Sequence, residues 1–340
     1  MDADEELLQC LEQLASRQAE PPVLLPANDR YIEFVSRHGS ALAANFRFSD
    51  CHNGIAGELL DKRRFHRLCQ RHGMPVPAVW EVRDKAALQE LAEQIAFPCI
   101  LKPALIHRAR AYLRGNKVVL ARTLAELDEC LSLLPEDVGG WLVQEVIPGA
   151  ESRITLFGGY ESRTGEILQA FTARKLRQYP PGFGSASLAV SEPCAETAAL
   201  TTNFVRAIGL HGIFGAEFKR DPRDGQLKII EINPRPTLWF QLSHAAGKRI
   251  TDAAWRDLRD AAPIQDPPQR DGVVWRYALK DLASARFYRR HGHAFVFPAP
   301  DVSAVHNRTA RTWAVYDPRD PLPALVEPLL YLRKWWKERR

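Results

Sequence analysis

Two apolar runs in the second half of the chain each carry an acidic side chain, at a spacing that suits metal binding. Glu217 stands in the first run and Glu231 in the second, and Asn233 follows two residues later. Between the runs, residues 221–225 read Asp-Pro-Arg-Asp-Gly. This strong turn signal predicts a β-hairpin that places the two carboxylates side by side. Because side chains alternate along a strand, Glu231 and Asn233 share one face, which Arg235 extends if the strand runs that far.

This donor set predicts a particular chemistry. Two carboxylates and an amide oxygen suit a hard cation such as Mg²⁺, which prefers oxygen ligands and usually bridges substrate phosphates. The guanidinium of Arg235 can then face a phosphate or an acyl phosphate. Charged residues also alternate along a strand that faces solvent, and the hairpin alone does not separate the two interpretations.

The bulk properties are those of a soluble globular enzyme. The chain has 340 residues, enough for two or more domains, with 46% hydrophobic and 26% charged residues. Its net charge of +5 slightly favours anionic ligands but does not indicate nucleic acid. No apolar run reaches the roughly 18 residues of a membrane span. The acidic start, Met1–Glu6, lacks the features of a signal peptide, so we expect a cytoplasmic location.

The cysteines and histidines do not indicate a zinc site. The six cysteines are scattered and form no Cys-x-x-Cys motif, so neither zinc binding nor a disulfide framework is expected. His291 and His293 have no further ligands close to them in sequence, which favours a surface loop over a metal site.

Hydrophobic periodicity predicts helices and strands along most of the chain. We expect strands at residues 23–25, 99–102, 117–120, 141–145, 152–157 and 167–176. We expect helices at residues 5–17, 29–38, 60–73, 86–95, 123–134, 195–209 and 250–261. Residues 179–187 are rich in Pro, Gly and Ser, and they predict a loop long enough to close over a site, with Gly182 and Gly184 as pivots.

Several motifs follow one another in an order that resembles a known superfamily. In chain order they are Asp61-Lys62 at the start of a helix, Lys102 at the end of a strand, a hinge at 144–151 that reads Gln-Glu-Val-Ile-Pro-Gly-Ala-Glu, then Glu217, and finally Glu231, Asn233 and Arg235. This order resembles the ATP-grasp superfamily of ATP-dependent carboxylate–amine ligases. The resemblance is greatest to its D-aspartate-ligase-like or carbamoyl-phosphate-synthetase-like branch, and it runs from about residue 23 to about residue 258.

The resemblance implies a fold of the α/β (α+β) class, the ATP-grasp fold, in which two α+β lobes clasp the nucleotide. Residues 1–60 would form a truncated Rossmann-like pre-ATP-grasp segment, since the first βαβ portion of that domain is missing here. The N-terminal lobe would then span 61–150, the C-terminal lobe with the metal site 151–262, and a C-terminal extension 263–340.

The resemblance also implies which residues bind the cofactors, ATP and Mg²⁺, with Mn²⁺ as an alternative metal. Lys62 and Lys102 would reach the nucleotide phosphates, a task that suits compact lysine cations, although a solvated lysine is the competing interpretation of each. Glu151 would hold the ribose hydroxyls, against the alternative of a turn carboxylate. The adenine edge would be bound mainly by hinge backbone, and the metal by the hairpin. The hinge residues are Gln144, Glu145, Val146 and Ile147, and the metal ligands are Glu217, Glu231 and Asn233.

Basic side chains are expected to carry the catalytic electrostatics. Arg174 and Lys175, together with Arg177, would neutralise a triphosphate or an acyl phosphate, and Arg235 would stabilise the acyl phosphate. A charged strand edge that resists aggregation is the competing interpretation of the first three residues. Relatives carry a glycine-rich phosphate loop after the second lysine. Here residues 104–115 are basic and poor in glycine, and His107, Arg108 and Arg110 would cover the phosphates or bind an anionic substrate.

The implied reaction is an attack of a substrate carboxylate on the γ-phosphate of ATP. An amine then attacks the acyl phosphate, and the products are an amide, ADP and phosphate. The expected partners are small-molecule carboxylates and amines, with no nucleic acid, and a homo-oligomer stays open. Three alternatives remain: a carboxylase that activates bicarbonate, a catalytically silent nucleotide-binding module, and a basic surface-binding protein that uses the tail with Trp335 and Trp336.

The end of the chain shows a separate pattern. Residues 329–340 combine Trp335 and Trp336 with five Lys and Arg residues. A membrane-surface contact is compatible with this pattern, but a basic helix end whose tryptophans pack on the domain is favoured. Trp239, His244 and Lys248 follow Arg235, and we expect them in the core or on a helix surface rather than in a substrate pocket.

Overall fold

Two sheets, joined through residues 146–150, form the frame of the molecule. The computed structural model describes residues 3–50, 54–82, 85–103, 118–132, 141–306, 308 and 310–338 of the chain. Helices pack against both sheets, and all strand pairs are antiparallel except that of the last two strands. The mixed α/β class expected from the sequence is confirmed.

The regular elements follow the predicted order closely. The helices are α1 (Ala3–Ala15), α2 (Asp29–Leu42), α3 (Ile55–Leu60), α4 (Lys62–Arg71), α5 (Lys85–Leu91), α6 (Leu124–Ser132), α7 (Ala195–Ile208), α8 (Phe240–Ala245), α9 (Ile250–Leu258), α10 (Ala278–His291) and α11 (Leu322–Glu338). The strands are β1 (Val79–Val82), β2 (Cys99–Pro103), β3 (Val119–Ala121), β4 (Trp141–Glu145), β5 (Ile154–Glu161), β6 (Ile167–Tyr179), β7 (Ser185–Ser191), β8 (Gly212–Arg220), β9 (Leu227–Asn233), β10 (Val274–Arg276) and β11 (Arg311–Trp313).

The first lobe is a four-stranded sheet in the order β1-β4-β2-β3. Cys99 and Leu101 point from one face into a core that includes residues of α5 and α6. Ile100 lies directly opposite Gln144 across β2 and β4, so both belong to the other face, which Lys102 shares because it stands two residues after Ile100. This second face looks toward the other lobe and carries the polar residues that the sequence singled out.

The second lobe is a seven-stranded sheet in the order β11-β10-β7-β6-β5-β8-β9. One face packs on α4 and α7 through a core that contains Phe157, Phe214 and Phe218, and the other packs on α8 and α9. Strands β10 and β11 fall within residues 263–340, so part of the expected C-terminal extension completes this sheet. The division into four domains stays a prediction.

The N-terminal segment has a small core of its own between α1 and α2. Asn28 caps α2, because its side-chain oxygen accepts a hydrogen bond from the Tyr31 N–H. The expected strand at residues 23–25 is reduced to a single bridge between Val23 and Arg47. Two prolines precede this stretch, and a residue without an N–H cannot extend a ladder of hydrogen bonds.

Helix α11 turns its apolar residues outward. Trp336 is 62% exposed, so the expectation that the terminal tryptophans pack on the domain is wrong for this residue, and the Trp335 side chain lies outside the description. Among the described residues no helix combines the length and the hydropathy needed to cross a bilayer.

Candidate functional site

The predicted carboxylate hairpin is present in the structure. Glu217 on β8 lies directly opposite Glu231 on β9, and β9 ends at Asn233, whose amide donates to Glu231 Oε1 at 3.1 Å. Glu217 and Asn233 are both buried, with exposed fractions of 8% and 9%. Two carboxylates and an amide thus converge on one face of the sheet, and their oxygens match the ligand preference of Mg²⁺.

Lys62 approaches this hairpin from the first turn of α4. Asp61 caps the helix by accepting hydrogen bonds from the N–H groups of Arg63 and Arg64, which fixes the position of the next residue. The Lys62 ammonium then lies 3.7 Å from Glu231 Oε2. A cation at this distance balances the charge of the Glu231 carboxylate.

Lys102 approaches the same region from the first lobe. Its Nζ donates to the side-chain oxygen of Gln144, its neighbour on the inner face of the sheet. Burial, with a further contribution from the charge of Lys62, lowers the pKa of Lys102 to about 7, while Glu231 acts in the opposite direction. The charges of Lys62 and Lys102, the two lysines predicted to bind phosphate, therefore act on one another, and the charge of Glu231 in the hairpin acts on Lys102.

Of the three basic residues on β6, the structure brings only Lys175 to the hairpin. Its ammonium is 1% exposed and pairs with Glu217, and it also donates to Gln178 Oε1 at 3.2 Å. Arg174 instead forms an ion pair with Glu192 at 2.9 Å. Arg177 makes two hydrogen bonds, of 2.7 and 2.9 Å, to the carboxylate of Asp281 on α10. The expectation that all three act together at a phosphate is therefore wrong for Arg174 and Arg177. Arg174 precedes Lys175 directly and so faces the other side of the strand, and a register shift between Lys175 and Arg177 changes the alternation for Arg177.

Arg235 lies beyond the end of β9 and is held by an unexpected partner. Its Nε donates to Asp29 at 2.6 Å, and its Nη2 donates to Asn233 Oδ1 at 3.2 Å. Asp29 stands at the first position of α2, where the sequence identified only a helix start. The guanidinium therefore lies beside Asn233, one of the predicted metal ligands. Its predicted contact with an acyl phosphate would require it to release Asp29 or to bind both groups at once.

The hinge between the lobes is buried, and hydrogen bonds tie it to neighbouring segments of the chain. The side chain of Glu145 accepts hydrogen bonds from the Ala78 N–H at 3.1 Å, from Arg223 at 3.0 Å and from Lys228 at 3.4 Å. Arg223 and Lys228 also bind Asp221, which is fully buried, and the hydrogen bond from Arg223 is the main cause that lowers the pKa of this carboxyl. Ion pairs thus link the turn between β8 and β9 to the hinge. The sequence pattern indicates Asp221 only as a turn residue and does not predict this link.

An aromatic cluster from the C-terminal region covers the inner side of the hinge. Phe297 is buried against Ile100 and Val146, and its ring lies 5.3 Å from that of Phe183. Lys219 stands two residues after Glu217 on β8, and its ammonium lies 3.7 Å from the centre of the Phe297 ring. That ammonium also donates to the carbonyl oxygen of Ile147 at 2.8 Å, and burial lowers its pKa to about 7. The surface expected to receive the adenine is therefore shared with Phe297, a residue that no motif pointed to.

Glu151 does not reach an open surface. It is fully buried, and its two carboxylate oxygens accept hydrogen bonds from the backbone N–H groups of Gln178 and Gly182. Burial raises its pKa against these hydrogen bonds. The geometry favours the turn-carboxylate interpretation over ribose binding, which stays a prediction without support from these contacts.

The expected mobile loop after Tyr179 is a tight turn instead. Strand β6 extends to Tyr179 and β7 begins at Ser185, which leaves only residues 180–184 between them. Glu151 binds Gly182 in this turn, and a side chain at Gly184 would collide with the backbone carbonyl group of Tyr179. The prediction of a pivoting lid was wrong, because glycines that suit a hinge also suit a closely packed turn.

The remaining candidates divide into core residues and residues outside the description. Trp239 is buried in the core of the second lobe, as expected, and Lys248 pairs with Asp266 at 2.6 Å. The basic segment with His107, Arg108 and Arg110 lies outside the described residues. Within the described part of the chain, no group of three or more His, Cys, Asp or Glu residues is placed to hold a metal, and the predicted metal site would have two carboxylates and an amide as its ligands.

Comparison with known proteins supports the resemblance to the ATP-grasp superfamily. The ATP-grasp domain family matches residues 67–238, slightly more than half of the 340-residue chain. The D-aspartate ligase of Enterococcus faecium (strain Aus0004) is 25% identical over 242 residues, which cover 68% of this chain and 57% of that protein. The D-alanine–D-alanine ligase B of Xanthomonas campestris pv. campestris is 26% identical over 192 residues, or 52% of this chain and 56% of that protein. The chain thus matches little more than half the length of either relative.

Solved structures share the fold at low sequence identity. The biotin carboxylase domain of the Hydrogenobacter thermophilus 2-oxoglutarate carboxylase, solved with MgADP and bicarbonate, superimposes with a TM-score of 0.61 at 15% identity, over 80% of this chain and 60% of that chain. The N5-carboxyaminoimidazole ribonucleotide synthetase of Thermus thermophilus gives a TM-score of 0.58 at 16% identity, over 77% of this chain and 67% of that chain. These likenesses show a common fold.

Proposed function

Because this chain belongs to the ATP-grasp family, we propose that it is an ATP-dependent ligase that joins a small-molecule carboxylate to an amine. The observation that carries the proposal is the meeting of groups from both lobes at one place. Glu217, Glu231 and Asn233 converge on the second sheet, and Lys62, Lys102 and Lys175 bring three ammonium groups toward them.

In the proposed reaction, a carboxylate oxygen of the first substrate forms a bond to the γ-phosphorus of ATP, and the bond to the β–γ bridging oxygen breaks to release ADP. The amine nitrogen of the second substrate then attacks the acyl carbon. Phosphate leaves with the electron pair of the broken C–O bond, and the nitrogen loses a proton. The protein forms no covalent bond in this scheme, so its contribution is positioning and charge stabilisation.

The residues of the site divide this work according to their position. Lys102 would neutralise phosphate oxygens from the side of the first lobe, Lys62 would do so from the start of α4 beside Glu231, and Lys175 from β6 beside Glu217. Arg235, next to Asn233, would meet the acyl phosphate oxygens. The hairpin oxygens would hold Mg²⁺, which would supply Lewis-acid stabilisation of the charge that develops on the transferred phosphoryl group.

The relatives favour carbon–nitrogen ligation over carboxylation. D-aspartate ligase and D-alanine–D-alanine ligase B are named for ligations, whereas the carboxylases are similar at only 15–16% identity, which speaks for the fold alone. Carboxylation of an acceptor by activated bicarbonate shares the first chemical step, and it is therefore an arm of the test rather than a second proposal.

The proposal is tested by phosphate release from ATP and Mg²⁺ against panels of amino acids, other carboxylic acids and amines, with bicarbonate as a separate arm. We expect release that needs both a carboxylate and an amine, and mass spectrometry should find the amide. Glu231→Gln, which removes one metal carboxylate, should abolish release and leave the thermal unfolding profile intact. Release that depends on bicarbonate instead would favour carboxylation. Tight ATP binding without release from any pair would favour the silent nucleotide-binding module.

A further inference from the structure

The C-terminal helix α11 presents an apolar stripe to solvent. Leu325, Leu329, Leu332 and Trp336 are all exposed, and their spacing of four, three and four residues places them along one side of the helix. An amphipathic helix of a globular protein normally buries such a stripe against the core. Here the stripe has the spacing of a packing surface but packs on none of the described cores.

The orientation of the helix is fixed by polar contacts on its opposite side. The hydroxyl of Tyr277, at the start of α10, lies in hydrogen-bonding contact with the side chains of Glu327 and Tyr331. These two residues are four apart and share one face of the helix. Leu329 stands two residues from each, which is roughly 160° around the helix axis at about 100° per residue. The polar side of α11 therefore faces the protein, and the apolar side faces outward.

The sequence around the end of α11 is rich in positive charge. Five of the last eight residues are Lys or Arg and one is acidic, and Arg333, the first of the five, is exposed beside the stripe. An apolar stripe with tryptophan, followed by a cluster of cations, is the pattern of helices that lie in the interface of an anionic membrane. In a pair of parallel copies the same cations would be brought together and would repel one another.

We propose that α11 docks the protein on the surface of an anionic lipid bilayer, with the Leu325–Trp336 side inserted at the headgroup boundary. The helix lies on the bilayer and does not cross it, since it has 17 residues and no described helix meets the requirements of a membrane span. The catalytic hairpin is on other elements of the chain, so the surface is independent of the proposed ligase reaction.

The test is co-sedimentation of the full chain with vesicles of phosphatidylcholine alone or mixed with phosphatidylserine. We expect binding to the mixed vesicles that weakens with salt, and little binding to the neutral ones. Leu329→Asp should reduce binding at least tenfold. Leu282→Asp is the matched control, because Leu282 on α10 and Leu329 are both 63% exposed and both lie in helices. Arg333→Glu should weaken binding only to the mixed vesicles.

Three results would overturn the proposal. The first is the absence of binding to mixed vesicles, and the second is an equal loss in Leu329→Asp and Leu282→Asp. The third is a concentration-dependent dimer in sedimentation equilibrium that Leu329→Asp dissolves, because the stripe would then be an interface between copies. Circular dichroism and ATP-dependent phosphate release on each variant show whether the protein is folded and whether the proposed reaction has failed separately.

Discussion

Lys102 allows a quantitative prediction about how nucleotide binding depends on pH. Burial and the neighbouring charge of Lys62 lower its pKa to about 7, so near neutral pH a large share of the side chain is uncharged. A triphosphate placed against the ammonium would favour the charged form and raise this pKa again. Binding of Mg·ATP should therefore draw a proton from solution whenever the pH lies above the pKa of the free protein.

The magnitude follows from the size of the shift. With a free pKa of about 7 and full protonation in the complex, uptake at pH 8 is roughly 0.9 proton per nucleotide bound. The dissociation constant should rise roughly fivefold from pH 7 to pH 8, because only the protonated fraction of the free protein is ready to bind. Above pH 8 each further unit should weaken binding by about tenfold until the pKa of the complex is reached.

Isothermal titration calorimetry in buffers of different ionisation enthalpy measures this uptake directly. Lys102→Arg is the control, because a guanidinium stays protonated throughout this range and should remove the part of the uptake and of the pH dependence that Lys102 contributes. Lys219 has a similarly lowered pKa, so the difference between wild type and Lys102→Arg isolates the contribution of Lys102. Equal uptake in the two proteins, or none in the wild type at pH 8, would refute the reasoning.

Three further predictions concern stability. Arg177→Leu removes one partner of a buried ion pair and leaves Asp281, which is 4% exposed, with less compensation; it should cost about 3 kcal/mol in urea unfolding, and the double variant with Asp281→Leu should recover part of this loss. Gly184→Ala should prevent normal folding, because its Cβ would collide with the backbone of Tyr179. Gly57→Ala, in a helix with nothing within 4 Å of the added Cβ, should instead stabilise the protein by about 0.5–1 kcal/mol. Similar melting temperatures for the two variants would contradict the described turn. The carboxyl of Asp221 has a folded pKa below its unfolded value, so its stabilising contribution is present above the unfolded pKa of about 4 and is lost as pH falls further. Asp221→Asn should therefore lose less stability than the wild type over that range in acid unfolding. An unchanged profile would argue against the contacts of Asp221 with Arg223 and Lys228.

Local patterns predicted the elements and part of the site. The turn signal at 221–225 and the two flanking apolar runs were sufficient for the β8–β9 hairpin, since a hairpin brings together residues that are close in sequence. The capping of α2 by Asn28 and of α4 by Asp61 also depends on neighbours within three residues. Such contacts could be predicted because the physical interactions that form them are local.

Contacts between distant segments were not accessible in the same way. The pairing of Arg235 with Asp29 joins residues 206 positions apart, and that of Arg177 with Asp281 joins residues 104 positions apart. On β6, Lys175 pairs with Glu217 of the hairpin and Arg177 with Asp281, and the register shifts on either side of Arg177 that separate them leave no trace in composition. The predicted lid failed for a related reason: the glycines after Tyr179 serve close packing, which depends on Glu151, 31 residues before Gly182.

The sequence by itself determined the class of the fold, the hairpin with its carboxylates, the helix that presents Lys62 and the strand that presents Lys102. Periodicity, turn residues and caps act over a few positions, and they suffice to set element types and the faces of side chains. Only the tertiary structure decided which charges meet. It placed Lys175 against Glu217, Phe297 against the hinge and the polar side of α11 against Tyr277. These choices depend on how two lobes and a C-terminal segment pack in three dimensions, where the burial of each charge must be balanced by a partner from a distant part of the chain.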